Sequence, residues 1–173
     1  MAETFDFLID RLATPIGELI VIADGDGRLR TIDWTDHEAR MTRLLDRYYG
    51  KGHYTLTPKR DPGGLSSAMR RYFKGEIGVL KGLPVATSGT AFQTSIWKAL
   101  RKINDGTAIS YAELARRIGN AKAVRAAGLA NGQNPISIVV PCHRVIGSDG
   151  SLTGYGGGLH RKQWLLAHEG VML

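Results

Sequence analysis

The chain has a single cysteine, Cys142, set in the run PCHRV over residues 141–145. The thiolate, and not the thiol, is the sulfur nucleophile, and a nearby base or cation favours it near neutral pH. His143 and Arg144 supply both within two residues. Glu169 could orient the imidazole as the third member of a relay. Its position before Gly170 fits a plain surface glutamate at a helix end better, on sequence alone. The ordinary fate of a lone cysteine is to be a small buried hydrophobe. Neighbouring side chains of an extended strand point to opposite faces, so Cys142 and His143 can meet only if the chain turns at 141–143. One cysteine excludes an internal disulfide and a zinc site built from several thiolates, and a reducing cytosol suits it.

Several elements must position these groups. Asn134 and Pro135 precede ISIVV at residues 136–140, which reads as a buried strand that Pro141 ends, leaving Cys142 at the strand end. Thr90 and Gln93 form a capping-box pattern ahead of Phe92, Ile96, Trp97 and Leu100. Ser110 and Glu113 repeat it ahead of Leu114, Ala115 and Ile118. Gly119 ends that short helix, and Asn120 can cap the next, over residues 121–130. Two short helices joined by a glycine-containing turn make a helix-turn-helix. The second helix is mostly Ala and Gly, with Lys122 and Arg125 as its long side chains. Such a face can lie close to another helix or to a DNA groove. The run GYGGG at 154–158 lacks the marks of a phosphate loop and reads as a flexible wall with Tyr155 as a stacking surface. Arg161, Lys162, Trp164, Leu165 and Leu166 belong to a closing helix.

The first half reads as a small α/β module without a chemical motif. Residues 14–17 are turn chemistry, 18–23 a strand, 24–27 a hairpin loop and 29–34 a second strand. Asp36 could cap a helix with Met41, Leu44, Leu45 and Tyr48 on one face. After the break at 61–64, a second helix carries Leu65, Met69, Tyr72 and Phe73 as its apolar stripe. The boundary is expected between 83 and 89, giving domains 1–87 and 88–173.

The net charge of +7 is unevenly shared: +1 over residues 1–87 and +6 over 88–173. A basic C-terminal half fits contact with a polyanion, although a basic domain without a nucleic-acid partner is equally compatible. No apolar run reaches the roughly 20 residues of a membrane helix. The acidic N-terminal stretch is unlike a secretory signal, so a cytoplasmic location is expected.

With these motifs in place, the chain resembles the O6-alkylguanine-DNA alkyltransferase family. IVVPCHRV at 138–145 carries the match. Asn134-Pro135, the helix around Arg125, Tyr111 after Ser110, YGGG at 155–158 and WLLAHEG at 164–170 fall at the expected offsets. The resemblance covers residues 88–173, and only loosely the first half through residues 14–17 and the following strand. It implies an RNase H-like N-terminal α/β module and a winged helix-turn-helix-like, mostly helical C-terminal active-site domain.

It also implies roles. Cys142 accepts the alkyl group, His143 deprotonates it through a water, and Glu169 holds His143. Tyr111 donates a proton toward the departing guanine, and Asn134 holds the active-site turn. Arg125 fills the gap left by the extruded nucleotide, and Ala126, Tyr155, Gly156, Val145 and Ser137 complete the DNA and substrate side. Enzymatically silent relatives have tryptophan in place of Cys142, so activity is expected. The substrate would be double-stranded DNA carrying O6-alkylguanine, with O4-alkylthymine as a second lesion. The alkyl carbon is too crowded within a duplex for a thiolate to reach, so the nucleotide must flip out at a cost of a few kcal/mol. A monomer without cofactor is expected, with cooperativity on DNA open. Gly156 stands where many relatives have Ser or Ala, and Ser137 where some have Pro. Some relatives bind zinc through N-terminal cysteines, which are missing here, so no metal is expected. On the residues alone two rivals stand: a non-catalytic helix-turn-helix protein, and a Cys-His-Glu hydrolase.

Overall fold

The structure, a computed structural model, describes residues 3–172; the first two residues of the acidic N-terminal stretch lie outside them. The chain divides into two compact units, residues 1–88 and 89–173.

The first unit is a four-stranded sheet of order β3-β2-β1-β4, built from β1 (Phe5–Thr14), β2 (Gly17–Ala23), β3 (Leu29–Trp34) and β4 (Tyr54–Pro58). β1–β2 and β2–β3 are antiparallel, while β4 runs parallel to β1. The β1–β2 turn forms where expected: the Thr14 hydroxyl donates to the Gly17 carbonyl at 2.6 Å and accepts from the Ile16 amide at 3.2 Å. In the β2–β3 loop, the Asp24 carboxylate accepts from the amides of Asp26 and Arg28. Helix α1 (Glu38–Tyr49) buries Met41, Leu45 and Tyr49 with Phe7, Ile20 and Ile22 of the sheet. Helix α2 (Leu65–Phe73) packs on β1 and β2 and buries Leu65, Ala68, Met69 and Tyr72.

Three expectations for this unit change. Asp36 lies in a 3-10 turn and makes no cap, because α1 starts after His37. The face of α1 turns toward Tyr49, leaving Tyr48 partly buried. β1 and β4 are additional strands.

The second unit is mostly helical: α3 (Ala91–Arg101), α4 (Tyr111–Arg117), α5 (Val124–Gly132) and α6 (Leu159–His168). The parallel pair β5 (Ile109–Ser110) and β6 (Val145–Ile146) is its only sheet among the described residues. Thr90 and Gln93 form the full capping box of α3. Ser110 accepts from the Glu113 amide at 3.0 Å, but the Glu113 carboxylate pairs with Arg116 and Arg117. Helices α3, α4 and α5 pack on one another, with the Trp97 indole donating to the Ala130 carbonyl at 3.0 Å. No helix among the described residues is long and apolar enough to cross a membrane.

Candidate active site

Gly119, at φ +75°, ends α4 as its missing Cβ permits. Asn120 does not cap α5: the stretch after it folds as a turn closed by the Ala123 amide on the Asn120 carbonyl, and α5 begins at Val124. The tight turn takes the place of a first helical turn. α5 buries Ala127, Ala130 and Asn131, while Arg125 and Ala126 are exposed. Leu129, one turn beyond Arg125 on that face, is 64% exposed. The Tyr111 ring lies against α5 at Gly128, where an added Cβ would sit in ordinary contact with it at 3.5 Å. The Tyr111 hydroxyl accepts from the Thr153 hydroxyl at 3.2 Å.

Residues 136–140 are buried, as expected, but they form turns and not a strand. Asn134 explains the difference. Its Oδ1 accepts from the Ile136 amide at 2.9 Å, and its Nδ2 donates to the Val140 carbonyl at 2.7 Å. These bonds fold the segment on itself and place Ile138 at φ +73°, a conformation β-branched residues rarely adopt. Cys142 therefore opens a 3-10 turn, Cys142–Arg144, in place of a strand end.

That turn is buried, with Cys142 8% exposed and His143 fully covered. Nε2 of His143 lies 2.8 Å from Oε2 of Glu169, and Nε of Arg144 donates to Oε1 at 2.7 Å. Arg144 also donates to the Ile103 carbonyl at 2.9 Å. Glu169 is thus no surface residue; its carboxylate bridges the two side chains that follow Cys142. Burial alone would push the Glu169 carboxyl up, but His143 and Arg144 together outweigh it and hold it down to about 2. Burial is also the main influence on His143 and pushes it below the usual histidine range, against the pull of Glu169. The imidazole is therefore neutral at neutral pH. An ionised carboxylate can only accept, so Nε2 carries the proton and Nδ1 the lone pair. Nδ1 is buried without a hydrogen-bond partner among the described residues. A neutral imidazole so held can accept a proton at Nδ1.

Helix α6 packs on this turn. Lys162 is fully buried, and its Nζ donates to the carbonyls of Thr153, at 2.7 Å, and Gly154. Burial pushes it down to about 8, opposed by the charge of Cys142. Arg161 donates to the Gly157 carbonyl at 3.0 Å. Two buried cations thus pin the glycine-rich loop, whose Tyr155 and Gly156 are half-buried. Ser137 is buried and Val145 completely so, backbone included. Trp164 stacks on His168 at 4.6 Å.

Sequence reasoning passed over Asn131 and gave Lys162 only a packing role. The legible signal for Lys162 was a lysine on the stripe with Leu165 and Leu166. Burial of Arg144, Arg161 and Lys162, against Glu169 alone, also makes the exposed basic excess of this unit smaller than its formal charge.

The chain is similar to known proteins. Residues 91–171 match the family model described as 6-O-methylguanine DNA methyltransferase, DNA binding domain. A methylated-DNA–protein-cysteine methyltransferase of Shigella flexneri is 51% identical, covering 96% of this chain and 97% of the relative. That of Haemophilus influenzae is 41% identical, covering 91% and 83%. The crystal structure of Mycobacterium tuberculosis OGT in complex with DNA superposes with a TM-score of 0.78 at 38% identity, covering 95% of this chain and 92% of that one. With identity of this order along nearly its whole length, the chain belongs to the methylated-DNA–protein-cysteine methyltransferase family.

Proposed function

We propose that Cys142 accepts an alkyl group from O6-alkylguanine in duplex DNA, in a single irreversible transfer. The observation that carries this reading is the buried His143–Glu169–Arg144 array directly following the only cysteine, with the His143 lone pair left open as a base. His143 takes the thiol proton through a water, and Glu169 stabilises the imidazolium. The Cys142 sulfur attacks the alkyl carbon, the carbon–O6 bond breaks, and its electron pair passes to the guanine ring. Tyr111 donates a proton toward that ring. Asn134 holds the turn that presents Cys142. The second unit is the DNA-binding and alkyl-transfer domain. A cytoplasmic monomer acting on duplex DNA, and O4-alkylthymine as a second lesion, belong to the same reading. Incubation with O6-methylguanine duplex should add one methyl group to Cys142 by peptide mass spectrometry. An unmodified Cys142 with the lesion still in the DNA would refute the reading.

Arg125, exposed on α5 beside small residues, enters the stack as the nucleotide leaves in this reading. Arg125→Ala should slow repair of duplex DNA by about one to two orders of magnitude, since extrusion costs a few kcal/mol. Transfer from free O6-benzylguanine, which needs no extrusion, should be nearly unchanged. Equal loss on both substrates would assign Arg125 to the fold.

Lys162→Met should lower methyl transfer at neutral pH several-fold by removing a charge felt at Cys142 and the clamp on Thr153 and Gly154. Lys162→Arg, which retains the charge, should lose less. Wild-type rates in Lys162→Met would exclude the role.

A further inference from the structure

The last turn of α5 holds a buried polar side chain that the mechanism above leaves unused. Asn131 is 5% exposed, and its Nδ2 donates to the carbonyl of Cys142 at 3.4 Å. A carbonyl only accepts, which fixes the amide orientation and makes the other amide atom Oδ1. Oδ1 is buried and has no hydrogen-bond partner among the described residues. Asn134, three residues on, contrasts with it: both its amide atoms bond the backbone of the same turn.

Two buried acceptors without donors therefore flank one peptide group. Asn131 reaches the Cys142 carbonyl end of the Cys142–His143 peptide, and the imidazole bearing Nδ1 hangs from its other end. Buried polar atoms are rarely left unsatisfied, and buried waters typically bridge two to four of them. A water has two hydrogens to give and can still accept one, which matches two open acceptors and the thiol of the residue whose carbonyl Asn131 bonds.

We infer that Asn131 is a positioning residue for the nucleophile: its Oδ1 holds, together with Nδ1 of His143, the water that takes the Cys142 proton. The inference rests on the reading of Cys142 and His143 given above. The proton balance is complete. The thiol proton moves to the water oxygen while one water proton moves to Nδ1, and the water's second hydrogen stays on Asn131. The products are thiolate, unchanged water and an imidazolium facing Glu169. Without Asn131 the water loses one of its anchors, and the thiolate forms at higher pH. The titratable and charged groups of this site are His143, Arg144, Glu169 and Lys162, and none of them is substituted in the test.

The test compares the full wild-type chain with Asn131→Leu, close in size and purely apolar, and Asn131→Ser, which keeps a small accepting oxygen. Iodoacetamide alkylation of Cys142 is followed across pH without DNA, beside thermal unfolding and binding to undamaged duplex. Asn131→Leu should react about tenfold more slowly at pH 7, with the rising limb of its profile moved up by about one pH unit. Asn131→Ser should recover part of the shift, and duplex binding should stay at the wild-type level in both. A wild-type pH profile in Asn131→Leu, even with lowered stability, would overturn the inference, leaving a purely structural bond to the Cys142 carbonyl. If the leucine variant fails to fold, Asn131→Ala replaces it, and a wild-type profile there overturns the inference equally. Failure of the wild-type chain to take a methyl group from O6-methylguanine DNA would instead sink the repair reading, and the thiol profiles would still decide the role of Asn131.

Discussion

Cys142→Ser should bind duplex DNA as the wild-type chain does and transfer no alkyl group. Serine keeps the size of the side chain, so the turn with its His143–Glu169–Arg144 bonds should stand. The change falls on the nucleophile. Sulfur forms its anion far more readily near neutral pH and attacks saturated carbon well, whereas a serine hydroxyl is a far weaker nucleophile toward saturated carbon. Transfer below roughly one per cent of the wild-type rate is expected, read as methyl retained in the DNA after incubation with O6-methylguanine duplex. The same chemistry sets the stoichiometry of the wild-type chain. A methyl thioether has no acyl carbon for water to attack, and the chain has no second cysteine to displace the methyl group. Restored guanine should level off at one per chain however long the incubation. Turnover beyond one would favour a hydrolase, and continued transfer by the serine variant would remove Cys142 from its role.

How far this site could be read in the sequence depends on where the information lies. Capping of α3 by Thr90 and Gln93, and the end of α4 at Gly119, are local matters of hydrogen bonding and backbone freedom, and both were legible. β1 was not, because FDFLIDRLAT mixes charges with apolar residues and buries little beyond Phe7 and Leu12. β4 lies at the sheet edge, and its alternation of Tyr54 and Leu56 inward with Thr55 and Thr57 outward runs for only four residues before Pro58, too short a signal to stand out. The stretch 136–140 misled for a physical reason: β-branched residues advertise a strand, and the Asn134 side chain overrides them with bonds at short range. The apolar character there correctly reported burial and said nothing of backbone path. Among candidate site residues, Cys142 and His143 were legible from adjacency. The place of Glu169 was legible only through the family resemblance, since 26 residues separate it from His143 and no local pattern brings them together. Asn131 gave no sign at all, because its environment is made by the turn at Cys142.

Glu169→Gln is expected to harm stability and transfer together, with a distinctive pH dependence. Glutamine keeps the shape but removes the charge, leaving Arg144 buried beside a neutral amide. Breaking one side of a buried ion pair costs about 3–5 kcal/mol, which should appear as a large drop in the unfolding midpoint. The glutamine amide can also donate to His143, and in that orientation Nε2 becomes the acceptor and Nδ1 carries the proton. The base then faces the wrong way, and loss of general-base catalysis alone is worth about two to four orders of magnitude in rate. In the wild-type chain the Glu169 carboxyl is held at about 2, below its ordinary 4.5. A carboxyl depressed on folding adds stability above its unfolded value, and that stability is lost as pH falls from about 4.5 toward 2. His143, depressed by burial below its ordinary 6.5, acts earlier in the same direction. The unfolded chain takes up the imidazole proton first, so stability starts to fall once pH drops below about 6.5. The part of the unfolding free-energy difference between wild type and Glu169→Gln that comes from the carboxylate should therefore be fully present at neutral pH and shrink below about 4.5, as the unfolded wild-type chain takes up the carboxyl proton. Thermal or urea unfolding of both proteins between pH 3 and 8 measures it. A difference that stays constant across that range would mean that the charge of Glu169 is not what holds His143 and Arg144 in place.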